Sequence, residues 1–191
     1  LRDFLISEQT NYPQPMYNCL MNLLGTHDSE RIATALSIPV TLKNLSREDQ
    51  LAMSFDEKSI ARGIELEKLC AAVQFAIPGV PSIYYGDEQG MQGVNDPFNR
   101  LPFKEKNAEL HRYYKELCSR RNDNPALRCG KAEFAAPTKD LLLIDRYTDA
   151  VGDSHWLVAV NRSRKDIDFE VSGVVYSAPA QKAVYIESKK G

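Results

Sequence analysis

Two stretches of this chain share one layout: a short apolar run that stops abruptly at a polar cluster. The first passes from Leu23-Leu24-Gly25 into Thr26-His27-Asp28-Ser29-Glu30-Arg31. The second passes from Val80–Tyr85 into Gly86-Asp87-Glu88, and its polar positions continue to Asn99-Arg100. Between them, Ile60, Ile64, Leu66, Leu69, Cys70, Val73 and Ile77 recur at three- and four-residue steps, the spacing of one buried helical face. Ser54 and Glu57 have capping-box spacing, which starts that helix near Asp56, and Pro78-Gly79 ends it. Val80 to Tyr85 is uncharged and partly β-branched and aromatic, as for a strand buried on both faces. Gly86 to Phe103 is rich in Gly, Asp, Asn and Pro, has no period, and reads as a loop. A second helix follows from Lys104 to Asn122, with Leu110, Tyr113, Tyr114, Leu117 and Cys118 as its stripe.

Upstream, residues 1–12 read as the end of a helix and a polar turn. Pro13 and Pro15 suit a helix start, where their missing N–H groups cost nothing. That short helix is expected to reach Asn22, before a very short strand at Leu23 and Leu24. Residues 37–50, with Pro39, Asn44 and Ser46, read as a loop long enough to cover a site. The order strand, loop, helix, strand, loop, helix over residues 13–122 implies parallel strands with crossover helices. Such folds keep their sites at the carboxyl ends of the strands, where both polar clusters fall.

The pattern changes near Asn124-Pro125. Lys131–Phe134, Leu141–Tyr147, Trp156–Asn161, Ile167–Val171 and Ala183–Ile186 read as short strands. Turns are expected at Pro137-Thr138, Gly152-Asp153 and Ser172-Gly173. Residues 1–124 therefore read as strand–helix units, and residues 125–191 as a small antiparallel β module, marginal alone by size.

Composition narrows the partners. The 191 residues are 43% hydrophobic and 26% charged, ordinary values for a soluble globular protein. With 24 basic and 26 acidic residues the formal net charge is -2, which argues against a nucleic-acid footprint. No apolar run approaches the roughly 20 residues of a membrane span. Cys19, Cys70, Cys118 and Cys129 have no CxxC spacing, so the reading is reduced thiols in a cytoplasmic protein rather than a zinc site. No signal-peptide pattern is legible, and the sequence begins mid-pattern at Leu1, as a fragment or processed product would.

Taken singly, the polar residues carry little. A His-Asp pair is most often a structural hydrogen bond. Asp96 and Arg100, four apart, read as a surface ion pair worth little. Asp87-Glu88 read as solvated loop charges, and Tyr84-Tyr85 as core.

Taken together, these segments resemble the α-amylase superfamily, glycoside hydrolase family 13. Leu23 to Arg31 resembles that family's fourth conserved region, which ends in His-Asp. Gly79-Val-Pro81-Ser-Ile-Tyr84-Tyr85-Gly86-Asp87-Glu88 resembles its G-x-P-x-x-x-Y-G-x-E segment around the eighth barrel strand. Asn95-Asp96-Pro97-Phe98-Asn99-Arg100 resembles the Asp-Pro-x-x-Arg element of the neopullulanase, cyclomaltodextrinase and maltogenic-amylase group. The three motifs stand in the family's order within residues 13–122. The tail fits, on pattern, the β-sandwich that follows the barrel in this family. The resemblance implies an α/β plus all-β chain: the last strand–helix units of a (β/α)8 barrel, residues 1–124, then a small antiparallel β-sandwich domain, residues 125–191.

The resemblance also implies chemistry, a retaining double displacement on α-1,4- or α-1,6-glucosidic bonds through an oxocarbenium-like transition state. Asp28 then stands at the position of the transition-state-stabilising carboxylate, and His27 at that of the residue bonding the same sugar. An anionic acceptor near developing positive charge helps most where that charge is greatest. Asp96 and Arg100 match positions that hold the next sugar on the non-reducing side, and Tyr85 is grouped with them as substrate-binding. The implied partner is an α-glucan or maltooligosaccharide, with no nucleic acid and no membrane.

This sequence departs from the family pattern twice. No Asp or Glu here occupies the motifs of the nucleophile and the acid, which the family carries on strands four and five. Leu101-Pro102-Phe103 follows Arg100 where the family often has Arg-Pro and then Trp. No cofactor is evident; calcium is common in the wider family, with ligands in earlier parts of the barrel, and stays open for the parent. Two readings compete: the carboxy-terminal part of an α-glucan-cleaving enzyme, or a non-catalytic module from the same family that binds carbohydrate or a partner protein. The retained His-Asp pair favours the first. Under either, the isolated chain is expected to be inactive and to self-associate through uncovered sheet edges and helix faces.

Overall fold

A computed structural model describes residues 1–38, 45–148 and 154–189. In chain order these form α1 (Arg2–Asn11), α2 (Gln14–Tyr17), β1 (Met21–Leu23), α3 (Ile32–Ser37), α4 (Arg47–Ala52), α5 (Glu57–Ala76), β2 (Val80–Ser82), a single 3-10 turn at Asp87–Gln89, α6 (Ala108–Asp123), α7 (Pro125–Cys129), β3 (Lys131–Thr138), β4 (Leu141–Tyr147), β5 (Ser154–Asn161), β6 (Ile167–Val171), β7 (Val174–Ala178) and β8 (Lys182–Lys189). The chain divides into two compact units. One comprises Leu1–Asn22, Ala72–Pro81 and Glu116–Gly191; the other comprises Leu23–Ala71 and Ser82–Lys115.

The first unit holds the antiparallel sheets. Strands β3-β4-β5-β8 form one sheet in that order, and β6 and β7 form a second. Leu141, Leu143, Leu157 and Ala159 from the larger sheet share a buried core with Phe169 and Ala178 from the smaller one. Ser172 and Gly173 both take positive φ, 52° and 78°, which closes the β6–β7 hairpin with a tight two-residue turn. Asn161 is wholly buried, and its amide donates to the carbonyls of Lys165, Ala178 and Pro179 at 2.8–3.2 Å while its oxygen accepts from Ser163 N.

Two buried arginines close the end of α5 in the same unit. A helix leaves its last carbonyls without partners. Arg121 donates to the carbonyls of Phe75, Ile77 and Gly79. Arg146 donates to those of Ala76, Gly130 and Lys131. Burial pushes Arg121 down to about 10 and Arg146 down to about 9, so both remain charged at neutral pH.

In the second unit, α5 packs through small residues. A Cβ on Gly63 would collide with the Ala33 carbonyl and the Ser37 side chain of α3, so the close approach of the two helices needs this glycine. Glu67 is fully buried on α5 and accepts from Tyr114 Oη at 2.9 Å. Burial, with the nearby negative charges of Asp87 and Glu88, raises Glu67 to about 8, against the Tyr114 hydrogen bond.

Several expectations are corrected. The helix at Pro13–Pro15 stops at Tyr17, because Cys19 N donates to Met16 O in a tight last turn. Leu20 O then accepts from Val80 N, so the strand is Met21–Leu23 rather than Leu23–Leu24. Strand β2 ends at Ser82, and Val80 is half exposed rather than buried on both faces. Its ladder stops because Tyr84 O accepts from Asp87 N and the chain turns at Gly86. The stretch expected as loop 37–50 contains α4, whose Ser46 and Asp49 form a capping box; Pro39 and Asn44 lie outside the described residues.

At the start of α5 the capping oxygen is that of Asp56, which accepts from Ser59, rather than a Ser54–Glu57 box. Of the stripe expected on α5 only Leu69 is buried; Ala71, Ala72, Phe75 and Ala76 line the buried face instead. Helix α6 starts at Ala108, four residues later than Lys104, where the Asn107 side chain accepts from Leu110 N. Pro137-Thr138 belongs to β3, an edge strand, where a missing N–H is tolerated. Gly152-Asp153 lies outside the described residues. Helix α7 and strand β7 were not expected.

No described helix is long and apolar enough to cross a membrane. All four cysteines are free. Among the described residues no group of three or more His, Cys, Asp or Glu could hold a metal ion.

Candidate active site

The loop after β1 is shaped by its own hydroxyls. Thr26 N donates to Ser29 Oγ at 3.1 Å, and Asp28 N donates to Thr26 Oγ1 at 3.2 Å. Such side-chain turns hold short loops without help from a helix or sheet. The loop presents His27 and Asp28 outward, with side chains 65% and 72% exposed and His27 Nε2 3.1 Å from Asp28 Oδ2.

Arg100 joins this pair to Asp96. Its Nε lies 2.7 Å from Asp96 Oδ1 and donates to His27 O at 3.3 Å. Its Nη2 lies 3.7 Å from Asp28 Oδ1. Four of the five residues singled out in the sequence therefore form one exposed run of contacts: His27, Asp28, Arg100 and Asp96. Tyr85 is held differently. Its hydroxyl donates to Leu101 O at 2.8 Å and its ring lies 4.8 Å from that of Tyr84, edge to face. Tyr85 is 40% exposed and Tyr84 is only partly buried, so neither is the core residue expected.

The layer behind this surface is made of residues that sequence reasoning passed over. Arg31 and Asn99 are fully buried, and Asp87 nearly so. Arg31 pairs with Asp87, donates to Asn99 O at 2.8 Å and to Tyr85 O, and stacks over the rings of Tyr84 and Tyr85. Asn99 donates to the carbonyls of Thr26, His27 and Ser29 at 3.3, 2.9 and 2.6 Å. Asp87 is thus not a solvated loop charge. Burial raises its pKa to about 6, although Arg31 pulls the other way. A Cβ on Gly25 would collide with the Asp87 carboxylate, so the turn out of β1 requires glycine there. The signal available in the sequence was Arg31 itself, an arginine directly after the His-Asp cluster with a carboxylate near the end of the next apolar run.

Residues 2–130 match the family described as the alpha amylase catalytic domain. The chain belongs to the α-amylase family. Its relatives within glycoside hydrolase family 13 are neopullulanase-like. This α-amylase-family chain is 32% identical to an amylopullulanase of Thermoanaerobacter thermohydrosulfuricus over 168 residues, 83% of this chain and 11% of that protein. It is 29% identical to a cyclomaltodextrinase of Geobacillus thermopakistaniensis over 168 residues, 85% of this chain and 24% of that protein. The chain thus spans about a quarter or less of the length of these two relatives. Its fold matches a cyclic α-maltosyl-(1→6)-maltose hydrolase from Arthrobacter globiformis with a TM-score of 0.76 at 24% identity, over 98% of this chain and 39% of that one.

Proposed function

We propose that this chain is the carboxy-terminal part of a retaining glycoside hydrolase that cleaves α-1,4- or α-1,6-glucosidic bonds of α-glucans and maltooligosaccharides. In this reading residues 1–124 supply the last strand–helix units of the (β/α)8 barrel, and residues 125–191 the β-sandwich domain that follows it. The nucleophile and the general acid come from outside these residues.

The observation that most supports this reading is the exposed run His27–Asp28–Arg100–Asp96. A carboxylate accepts from sugar hydroxyls, while an imidazole and a guanidinium donate to them. Asp28 is assigned to the sugar at the cleaved bond. Its anionic oxygens bind ring hydroxyls and stabilise the oxocarbenium-like charge as the bond breaks. His27 bonds the same sugar. Asp96 and Arg100 hold the next one toward the non-reducing end, and Tyr85 lines the same substrate path.

Two measurements test the proposal. Proton NMR of early products from the full-length enzyme is expected to show the α-anomer first, as retention requires; the β-anomer first would refute it. The purified 191-residue chain is expected to release no glucose or maltose from starch, because one supporting carboxylate cannot perform a double displacement. Release above a buffer blank would refute that part.

A further inference from the structure

We propose that Asn99 is the residue that positions Asp28: its buried amide fixes the backbone of the His27–Asp28 loop, so it acts on the rate of bond cleavage rather than on sugar binding. The inference rests on the role assigned to Asp28 above.

Residues 95–100 form a tight double turn, with Phe98 N donating to Asn95 O at 2.9 Å and Arg100 N to Pro97 O at 3.1 Å. The turn sends consecutive side chains in opposite directions. Arg100 points out, its side chain 45% exposed, while Asn99 points in and is fully buried. The backbone at this point presses on Gly93: a Cβ there would meet Asn99 Cα at 2.7 Å and Phe98 O at 2.9 Å. Asn99 therefore has a fixed origin.

From it, one NH2 group faces three carbonyls, those of Thr26, His27 and Ser29, which bracket Asp28. The amide orientation is set by chemistry, because the Asn99 oxygen turned toward three carbonyl oxygens would be repelled. Among the described residues Asn99 Oδ1 has no hydrogen-bond partner. A buried amide with an idle acceptor is destabilising in itself, so what the side chain contributes here is its donor group.

At its far end the loop is anchored by Arg31, whose N donates to Gly93 O at 2.9 Å and whose side chain pairs with Asp87; Asn99 acts on the stretch before it. Its own bonds, Thr26 with Ser29 and Asp28 with Thr26, are 3.1–3.2 Å contacts within four residues. The Arg100 contacts come from an exposed side chain. A transition-state group misplaced by a fraction of an ångström loses much of its effect, whereas ground-state binding tolerates the error better.

The test uses the full-length enzyme with Asn99→Asp, Asn99→Leu and Asn99→Ser. Leu keeps roughly the size of the side chain and lacks the donor at every pH; Asp keeps the size and lacks it only above the raised pKa of a carboxyl buried against carbonyl oxygens, so Asp is compared there; Ser loses size and keeps a donor. The expected order of kcat is wild type, then Ser, then Asp and Leu, with the last two reduced at least tenfold and KM within threefold of wild type. Lowering the pH is expected to raise the kcat of Asn99→Asp relative to wild type, because a protonated carboxyl regains a donor. A packing role would give the opposite order, with Ser the most impaired, and would overturn the proposal. If Asn99→Asp fails to fold by circular dichroism, Leu and Ser decide: a kcat lower for Leu than for Ser at unchanged KM supports the proposal, and a kcat lower for Ser than for Leu, or an effect on KM alone, overturns it. Asp28→Asn is the control. If it keeps its activity, the reading of the site itself falls. If it is inactive while Asn99→Leu keeps kcat within twofold of wild type, only the positioning role falls.

Discussion

Arg31 Nη1 lies 3.1 Å from Asp87 Oδ1, and both side chains are buried, at 0% and 3% exposure. The pair ties the loop after β1 to the turn after β2. A buried charge left without its partner is strongly destabilising, on the order of 3–5 kcal/mol. Arg31→Met is expected to lose about that much in urea unfolding of the purified chain, since it strands Asp87. Asp87→Asn is expected to lose less, because an amide oxygen still accepts from Arg31. Equal and small effects of both substitutions would show that the pair is not what holds these two segments.

Burial of carboxyl groups sets the pH dependence of stability. Asp87 is raised to about 6 and Glu67 to about 8, both by burial first. A raised folded-state pKa means the folded chain binds the proton more tightly than the unfolded chain. Stability from this source is fully present below pH ~4, the unfolded range, and is lost as pH rises through the folded values. The unfolding free energy should therefore fall between pH ~4 and ~8, by a few kcal/mol in all at order of magnitude. Glu67→Gln should remove all of that fall above pH ~6 and part of it below, because Glu67 contributes from its unfolded value up to about 8. A wild-type profile that rises over this range would contradict the assignment.

Arg100 touches both halves of the proposed sugar path. Arg100→Ala in the full-length enzyme is expected to raise KM for maltooligosaccharides about tenfold, the loss of roughly 1.4 kcal/mol of binding. Because Arg100 contacts Asp96 directly, Asp96→Ala added to Arg100→Ala should cost less than the two single effects summed. Full additivity in the double mutant would mean the two do not act on one sugar.

In the β-sheet unit, Asn161 uses its amide as Asn99 does, but both ends are satisfied. Asn161→Ala should lower stability by about 1–3 kcal/mol, since it removes the bonds of a wholly buried amide, among them the one to the carbonyl of buried Ala178, while the Lys165 and Pro179 carbonyls keep Ser163 and Lys182 as donors. Thermal unfolding of the variant checks this; a shift of about 1 °C or less would remove Asn161 from the account.

What the sequence showed and hid follows from the range of the forces involved. Period and turn chemistry are local, so β4, β6 and the Ser172-Gly173 turn were legible. The contacts among His27, Asp28, Asp96 and Arg100 join residues that short motifs had already grouped. The layer behind them was not legible. Arg31, Asp87 and Asn99 act across 54 to 73 residues of chain, and a lone buried Asn in a polar loop carries no local signature. The helical stripe on α5 misled because Gly63, Ala71, Ala72 and Ala76 share its buried face with Leu69 and Phe75, and the value of such small residues lies in close approach rather than in hydrophobicity. Strand β7 was hidden because Val174 and Val175 are exposed and give no clean alternation.

The central claim is that Asp28 stabilises the transition state of glucosidic cleavage. Its most direct test is the kcat of the full-length enzyme carrying Asp28→Asn on a maltooligosaccharide, with folding checked by circular dichroism. The substitution keeps shape and removes the negative charge. A fall in kcat of at least about a thousandfold is expected, the scale of losing a preorganised electrostatic group. A folded Asp28→Asn enzyme with kcat within tenfold of wild type would contradict the claim.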